Sequence, residues 1–200
     1  RSFFSKRLKK YFLNSETYSL EEFIYLNKKD KIKNNFNLII NSFFPSSNIS
    51  KLKNYEEFSK LSSLELSKLL DIIQKKKINK ILYTSSASVY GSLNSNDELD
   101  YFNRTLYASS KIYCENLVKN FCKKNKIKYT ISRLFNLYGD GESFSIISRI
   151  IDSYLLKKKI IINNKGLSVR DYIHVNDVCR IYQKILNNRY IGTLDVGTGA

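Results

Sequence analysis

The sequence predicts an α/β fold in which helices cover both faces of a doubly wound parallel sheet. Two observations support this prediction. Short apolar runs rich in β-branched residues recur along the 200 residues, and stretches with apolar residues at helical spacing separate them. Helices between successive buried strands form right-handed β-α-β crossovers, which produce parallel sheets. With 42% hydrophobic residues, the chain can supply the core of one such domain.

The elements alternate along the whole chain. Before residue 80, apolar spacing and β-branched runs predict a helix over Arg1–Leu13, strands over Thr17–Leu20 and Asn37–Asn41, and a helix over Tyr55–Lys77. The later elements are a strand at Lys80–Ser85, a helix at Tyr107–Lys124, a strand at Lys128–Leu134, a helix at Phe144–Lys158, a short strand at Ile160–Ile162, an extended stretch at Leu167–His174, a helix at Val175–Leu186 and a strand at Thr193–Val196. We expect a single domain over residues 1–200, because no linker or repeat divides the chain.

Both ends of the chain resemble cuts through a longer domain. The sequence opens at Arg1 inside a predicted helix, and it stops at Gly197–Ala200 directly after a predicted strand. We therefore expect the sheet to lack a first strand at its N-terminal edge.

The charge balance is strongly basic, with a net charge of +16 at pH 7. The lysine clusters are Lys6–Lys10, Lys28–Lys33, Lys75–Lys77, Lys123–Lys128 and Lys157–Lys159. Most fall where a predicted helix ends, and cations there complement the helix dipole. We interpret them as solvated helix ends, in preference to a nucleic-acid surface, because they are spread along the chain and no nucleic-acid module accompanies them.

Several classes of protein and site are disfavoured. No apolar run approaches the ~20 residues that span a bilayer, and the N-terminus has no export signal, so we expect a cytoplasmic protein. The three cysteines are odd in number and contain no Cys-x-x-Cys pair, which favours buried thiols over disulfides or a metal site. His174 is the only histidine, so Ser-His and Cys-His nucleophilic systems are excluded.

Polar residues follow the predicted strands at the edge where parallel sheets bind ligands. Tyr107 and Lys111 are four residues apart and share one helix face, where a cation is expected to lower the pKa of the phenol from about 10. Tyr107 could then exchange a proton with a substrate hydroxyl or carbonyl. Ser86, at a strand end, could hydrogen-bond the same oxygen. These residues predict oxidation or reduction at a carbinol carbon.

Five segments, in this order and spacing, resemble the extended short-chain dehydrogenase/reductases of the NAD-dependent epimerase/dehydratase family. They are Ser85–Gly91, Tyr107–Lys111, Arg133–Gly139, Arg170–Asp177 and Leu194–Gly199. The resemblance covers Leu38 to Ala200 and implies a Rossmann-like domain that binds NAD, with NADP not excluded. It also implies a nucleotide-sugar substrate, a homodimer, and elements of a small substrate-binding lobe at about residues 140–175.

The resemblance assigns a role to each matching residue. Tyr107 would be the acid/base, Lys111 its partner and a ligand of the nicotinamide ribose, and Ser86 the third catalytic residue. Asn136 and Arg170, with Ser86, would face the substrate, and a guanidinium suits its diphosphate; the alternative for Arg170 is an ion pair with Asp171 or Asp177. His174 and Asp177 are interpreted as structural residues that help to start the next helix. The residues that would contact the cofactor are Ser42, Ser85, Leu134, Tyr107 and Lys111.

Two departures from the family pattern bear on function. No glycine precedes Gly91, so the glycine-rich turn that meets the cofactor pyrophosphate is absent from this sequence. Ala87 and Ser88 follow Ser86, where the family's sugar 4,6-dehydratases carry an Asp-Glu pair. The sequence therefore favours a 4-epimerase or a keto-sugar reductase over a dehydratase. The missing turn and the basic charge leave a second hypothesis, an inactive scaffold that binds a polyanion.

Overall fold

The computed structural model describes residues 2–41, 55–91, 98–139, 141–160, 166–167, 169–188 and 190–199. Helices and strands alternate through them. The helices are α1 Phe3–Tyr11, α2 Leu20–Lys28, α3 Tyr55–Ser59, α4 Glu65–Ile73, α5 Glu98–Lys124, α6 Ile146–Leu155 and α7 Val175–Asn187. The strands are β1 Phe36–Ile40, β2 Ile78–Ser86, β3 Lys128–Leu134, β4 Asn136–Tyr138, β5 Tyr172–His174 and β6 Gly192–Val196. A π-helical turn, Lys60–Leu64, joins α3 to α4, and a 3-10 turn, Ala87–Tyr90, follows β2.

Four strands form a parallel sheet in the order β1-β2-β3-β6. The strands β4 and β5 form a separate parallel pair just beyond its carboxyl edge, where Phe135 links β3 directly to β4. The predicted α/β fold with a parallel sheet is confirmed. The assignment of residues 140–175 to a substrate-binding lobe stays a prediction.

Two apolar cores cover the two faces of the sheet. One contains Ile81 and Ile131 of the sheet with residues of α2, α4 and α5, including Leu70 and Val118. The other contains Leu82 with residues of α1 and α7. Burial on both faces explains why β2 is apolar in sequence through its central residues, Ile81, Leu82 and Tyr83. The sheet is therefore doubly wound, as predicted.

The predicted strand at Thr17–Leu20 is wrong, because this stretch leads into helix α2. Ser19 caps the helix: its hydroxyl accepts a hydrogen bond from the backbone N–H of Glu22 at 3.2 Å. The Glu22 carboxylate accepts one from the backbone N–H of Ser19 at 2.8 Å. This reciprocal capping box satisfies two backbone donors that a helix would otherwise leave free.

Other elements also differ from their predicted bounds. Helix α5 begins at Glu98, nine residues before the predicted start at Tyr107. Helix α6 begins two residues later than predicted, because Ser145 caps it, and it ends three residues earlier, at Leu155. Ile160 is not in a strand, and Ile161 and Ile162 lie outside the described residues. Among the described residues of the extended stretch Leu167–His174, those in a strand are Tyr172–His174.

The predictions from composition are partly confirmed. Cys114, Cys122 and Cys179 are buried free thiols, as expected. Lysines occupy the last turns of α1, α2, α5 and α7, but not those of α4 and α6. None of the described helices combines the length and the apolar character needed to cross a lipid bilayer.

Candidate active site

Ser86 ends β2 at the carboxyl edge of the sheet and begins the 3-10 turn Ala87–Tyr90. Its backbone is extended, with φ −141° and ψ 146°, and its hydroxyl accepts a hydrogen bond from the backbone N–H of Ser88 at 3.2 Å. The Ser88 hydroxyl lies 2.9 Å from the same oxygen. The turn therefore fixes the Ser86 side chain where the strand stops.

Tyr107 and Lys111 lie one helical turn apart on α5, with exposed fractions of 7% and 4%. The Lys111 ammonium lies 5.6 Å from the centroid of the Tyr107 ring and 5.8 Å from that of the Tyr83 ring. The Tyr107 hydroxyl is hydrogen-bonded to Ser86. The structure therefore brings together the three residues that the sequence selected as catalytic.

Burial controls the ionisation of this pair. Desolvation raises the pKa of Tyr107 to about 12, although the hydrogen bond with Ser86 lowers it. Desolvation also lowers the pKa of Lys111 to about 8, against the charges of Cys114 and Glu115, which raise it. The expected fall in the Tyr107 pKa is wrong for this structure, because Lys111 lies over the phenol ring and burial opposes both charged forms.

A buried carboxylate lies beside this cluster and was not selected from the sequence. Glu115, four residues after Lys111, accepts hydrogen bonds from Ser85 at 2.7 Å and from the Arg133 guanidinium at 2.9 and 3.0 Å. Arg133 in turn donates to the Tyr90 hydroxyl at 2.9 Å, and Tyr90 donates to Asp195 at 2.7 Å. The helical spacing from Lys111 could have identified Glu115, whereas no local signal indicates Asp195.

The predicted substrate residues lie where the two sheets meet. The Asn136 side-chain amide donates to the backbone carbonyl of Asp171 at 2.8 Å. Arg170, which directly precedes Asp171 in the sequence, is exposed. The two carboxylates that could have paired with Arg170 have other partners, because Asp171 accepts from Thr198 at 2.8 Å and Asp177 pairs with Arg180 at 2.9 Å.

The predicted cofactor contacts differ in their surroundings. Leu134 ends β3 in register with Ser86 and packs against the core that contains α1 and α7. Ser85 is buried, and its hydroxyl is directed at Glu115. Ser42 lies outside the described residues. His174 caps α7 by accepting from the backbone N–H of Asn176, and Asp177 lies in the first turn of that helix, so their structural interpretation is confirmed.

The donor set fits the nicotinamide half of NAD, because an ammonium and a phenol hydroxyl can both hydrogen-bond ribose hydroxyls. Lys111 and Tyr107 would supply those groups. For the pyrophosphate, no glycine-rich turn leads into a helix N-terminus within the part of the chain that the structure describes. The fit is therefore restricted to the nicotinamide side of the cofactor.

Comparison with protein families gives one model, that of the NAD dependent epimerase/dehydratase family, which matches residues 29–196. A dTDP-D-glucose 4,6-dehydratase of Dictyostelium discoideum is 31% identical over 65% of this chain and 34% of its own length. A putative UDP-glucose 4-epimerase of Methanocaldococcus jannaschii is 33% identical over 66% of this chain and 45% of its own length. The chain thus spans less than half the length of these relatives.

Solved structures share the fold at lower identity. UDP-glucuronic acid 4-epimerase from Bacillus cereus, in complex with UDP-glucuronic acid and NAD, superposes with a TM-score of 0.70 at 20% identity. The match covers 94% of this chain and 59% of that protein. UDP-N-acetylglucosamine 4-epimerase from Methanobrevibacter ruminantium M1 gives the same TM-score of 0.70 at 21% identity, over 88% of this chain and 58% of that one.

Proposed function

Because the chain belongs to the NAD-dependent epimerase/dehydratase family, we propose that the protein is a nucleotide-sugar 4-epimerase or keto-sugar reductase. NAD is the cofactor of this family. The observation that carries the proposal is the cluster of Ser86, Tyr107 and Lys111 at the carboxyl edge of the sheet. A phenol that is hydrogen-bonded to a serine and covered by a lysine can move a proton on and off a sugar hydroxyl.

Each residue of the cluster has a distinct task. Bound NAD would supply the hydride acceptor and donor. Tyr107 would take the proton of the sugar hydroxyl during oxidation and return it during reduction. Ser86 would hold the same oxygen by a hydrogen bond. The Lys111 ammonium would bind the nicotinamide ribose, and because its pKa is about 8, the charged fraction of Lys111 falls as the pH rises above that value.

The residues after Ser86 favour epimerisation or reduction over dehydration. One relative is described as a 4,6-dehydratase and another as a 4-epimerase. Elimination of water needs further acid/base groups beside the sugar, but Ala87 follows Ser86 here and the Ser88 hydroxyl contacts Ser86 itself. No carboxyl group occupies either position.

The remaining assignments also form part of the proposal. Arg170 and Asn136 would bind the substrate, with the exposed Arg170 guanidinium on the diphosphate. Ser42, Ser85 and Leu134 would line the cofactor. Two of the matched structures are complexes with UDP-sugars, UDP-N-acetylmuramic acid and UDP-glucuronic acid, which supports a nucleotide diphosphate sugar as the substrate class.

We also propose that the protein is a homodimer that pairs through α5. The apolar side chains Leu106, Ile112 and Tyr113 are exposed on this helix. Leu106 and Tyr113, together with Phe58 of α3 and five serines, line an open hollow of about 230 Å³. A second copy of α5 would bury this surface, and apolar area of this kind is what stabilises a homodimer.

The decisive experiment replaces Tyr107 by Phe in the protein expressed from its complete gene. Turnover of UDP-sugars with NAD should fall by roughly 10²–10⁴-fold, because the proton acceptor is lost. Tyr154→Phe is the control, since Tyr154 is 80% exposed on α6. Circular dichroism should show both variants folded. Turnover by Tyr107→Phe at the wild-type rate, or no turnover by the wild type with any nucleotide sugar, would overturn the proposal.

A further inference from the structure

A row of three polar side chains crosses the sheet one position before its carboxyl edge. Ser85 pairs in register with Arg133, and Arg133 pairs in register with Asp195. Residues in register on adjacent parallel strands point to the same face of the sheet. The next position along β2 is Ser86, so this row lies directly behind the proposed catalytic serine.

The first half of the row is fixed to α5 by a single buried carboxylate. Both oxygens of Glu115 are used: one accepts from Ser85 at 2.7 Å and from Arg133 Nε at 3.0 Å. The other accepts from Arg133 Nη2 at 2.9 Å and from Lys119 Nζ, on the same helix, at 3.3 Å. Burial raises the pKa of Glu115, but the hydrogen bonds from Arg133 and Ser85 lower it below its ordinary value. Because Lys111 lies one helical turn before Glu115, this contact joins the helix of Tyr107 and Lys111 to the strand of Ser86.

The second half of the row is fixed to the turn that follows Ser86. The Arg133 guanidinium stacks on the Tyr90 ring at 4.9 Å and donates to the Tyr90 hydroxyl at 2.9 Å. The Tyr90 hydroxyl in turn donates a hydrogen bond to the Asp195 carboxylate, with oxygen–oxygen distances of 2.7 and 3.0 Å. Ser86 therefore lies between two residues, Ser85 and Tyr90, that are both bonded to the Glu115–Arg133 pair.

We propose that Tyr90, Arg133 and Glu115 are positioning residues that hold the Ser86 hydroxyl against Tyr107. The inference rests on the proposed function for its catalytic meaning. Tyr90 is 57% exposed, and its hydrogen bond to Asp195 is also exposed. This hydrogen bond therefore adds little to the stability of the whole fold. Its effect is confined to the turn Ala87–Tyr90, which Tyr90 ends and Ser86 begins.

Replacement of Tyr90 by Phe removes the hydroxyl and keeps the ring on Arg133. In the complete protein, kcat should fall by about tenfold to a hundredfold with KM for the nucleotide sugar changed less than about threefold, as expected when a catalytic group is misplaced. Tyr25→Phe is the matched control, because Tyr25 is also 57% exposed. It should leave both constants unchanged.

A double-mutant cycle separates positioning from a general structural role. If Tyr90 acts through Ser86, Tyr90→Phe should cost almost nothing further in a Ser86→Ala background. Asp195→Asn, which keeps an acceptor for the Tyr90 proton, should retain most of kcat, whereas Asp195→Ala should behave like Tyr90→Phe. Additive losses in the cycle would overturn the inference.

Amide hydrogen exchange gives a readout that needs no turnover. The Ser88 N–H donates to the Ser86 hydroxyl, and the Gly91 N–H donates to the Ser88 carbonyl at 3.0 Å. Tyr90→Phe should speed exchange of these two amides by at least about tenfold while β1 stays protected. Unchanged exchange would refute the positioning role. An inactive wild type would refute only the proposed reaction, because the exchange result would still decide this inference.

Discussion

At the scale of single residues, Lys111 shows how the proposed chemistry opposes folding. Its ammonium is buried beside α5 and two tyrosine rings, and desolvation lowers its pKa to about 8. A lysine that folds into such a place loses hydration, so the protein is less stable while Lys111 is charged. We expect a destabilising buried lysine to be kept in evolution only where its charge takes part in the proposed reaction.

This cost predicts a specific pH dependence. Since the folded pKa of Lys111 is about 8 and its ordinary value is 10.5, the folded state binds fewer protons between these values, and stability rises with pH there. Lys111→Met should therefore be more stable than the wild type by roughly 3 kcal/mol at neutral pH. The difference should narrow as the pH rises from 8 to 10.5.

Urea unfolding of both proteins across this pH range provides the measurement. Lys123→Met is the control, because Lys123 lies exposed in the last turn of α5 and its ammonium remains in water in both states. Its difference from the wild type should stay constant. A constant difference for Lys111→Met as well would contradict the prediction.

Which site residues the sequence could predict depends on the range of their contacts. Tyr107 and Lys111 could be paired from their four-residue spacing, and Ser86 from its place at a strand end. The bond between Tyr90 and Asp195 joins residues 105 positions apart, so no local pattern indicates it. The sequence also could not predict that the pKa of Tyr107 is raised, because this shift depends on burial that only the folded structure shows.

At the scale of elements, the strands were easier to predict than the start of each helix. The sequence predicts the strand Lys128–Leu134 with its observed bounds, because Tyr129, Thr130 and Ile131 are aromatic or β-branched residues that favour strands. The helix start near Thr17–Leu20 could have been predicted, because Ser19 and Glu22 have the spacing of a capping box. The early start of α5 at Glu98 had no comparable signal.

At the junction of β4, β5 and α7, we expect one glycine, Gly139, to be sensitive to substitution. Gly139, directly after β4, has φ +139°, and a Cβ there would lie 2.7 Å from Val175 Cγ1 and 2.9 Å from His174 Nε2. Gly139→Ala should therefore lower the free energy of unfolding by about 1–3 kcal/mol through overpacking, in addition to backbone strain.

Gly91→Ala is the matched control for this substitution. Gly91 also has a positive φ, of +91°, but a Cβ there meets no atom within 4 Å. It should show only the backbone strain, so the difference between the two variants in urea unfolding isolates the steric contact. Equal destabilisation by both would contradict the close approach at Gly139.

At the scale of the whole molecule, the sheet is covered on both faces but some helix surfaces remain exposed. The cores on the two faces account for the buried apolar side chains of β2. Apolar residues are nevertheless exposed on the outer side of α5 and along α6. Sequence patterns could predict the covered faces, because β1 and β2 contain continuous apolar runs. They could not predict how these outer helix surfaces are covered.

Of the two exposed apolar surfaces, on α5 and on α6, we propose that the one on α5 forms the homodimer interface. Ile112→Glu should convert a dimer into a monomer in analytical ultracentrifugation, because a carboxylate would be buried in the interface. Ile151→Glu on α6 is the control, since Ile151 and Ile112 are 51% and 42% exposed. It should leave the dimer intact. A monomeric wild type, or a dimer that survives Ile112→Glu, would contradict the proposed interface.

The regular spacing on α5 has a consequence for how this gene can diverge. Tyr107, Lys111 and Glu115 follow one another at intervals of four residues on a continuous helix. One residue inserted or deleted among them would turn all later side chains by about 100° around the helix axis. Substitutions at exposed positions between them, such as Ile112 and Tyr113, leave that geometry unchanged. Lineages that keep the activity should therefore vary this stretch in composition but never in length, and an alignment gap there would mark a copy that has lost it.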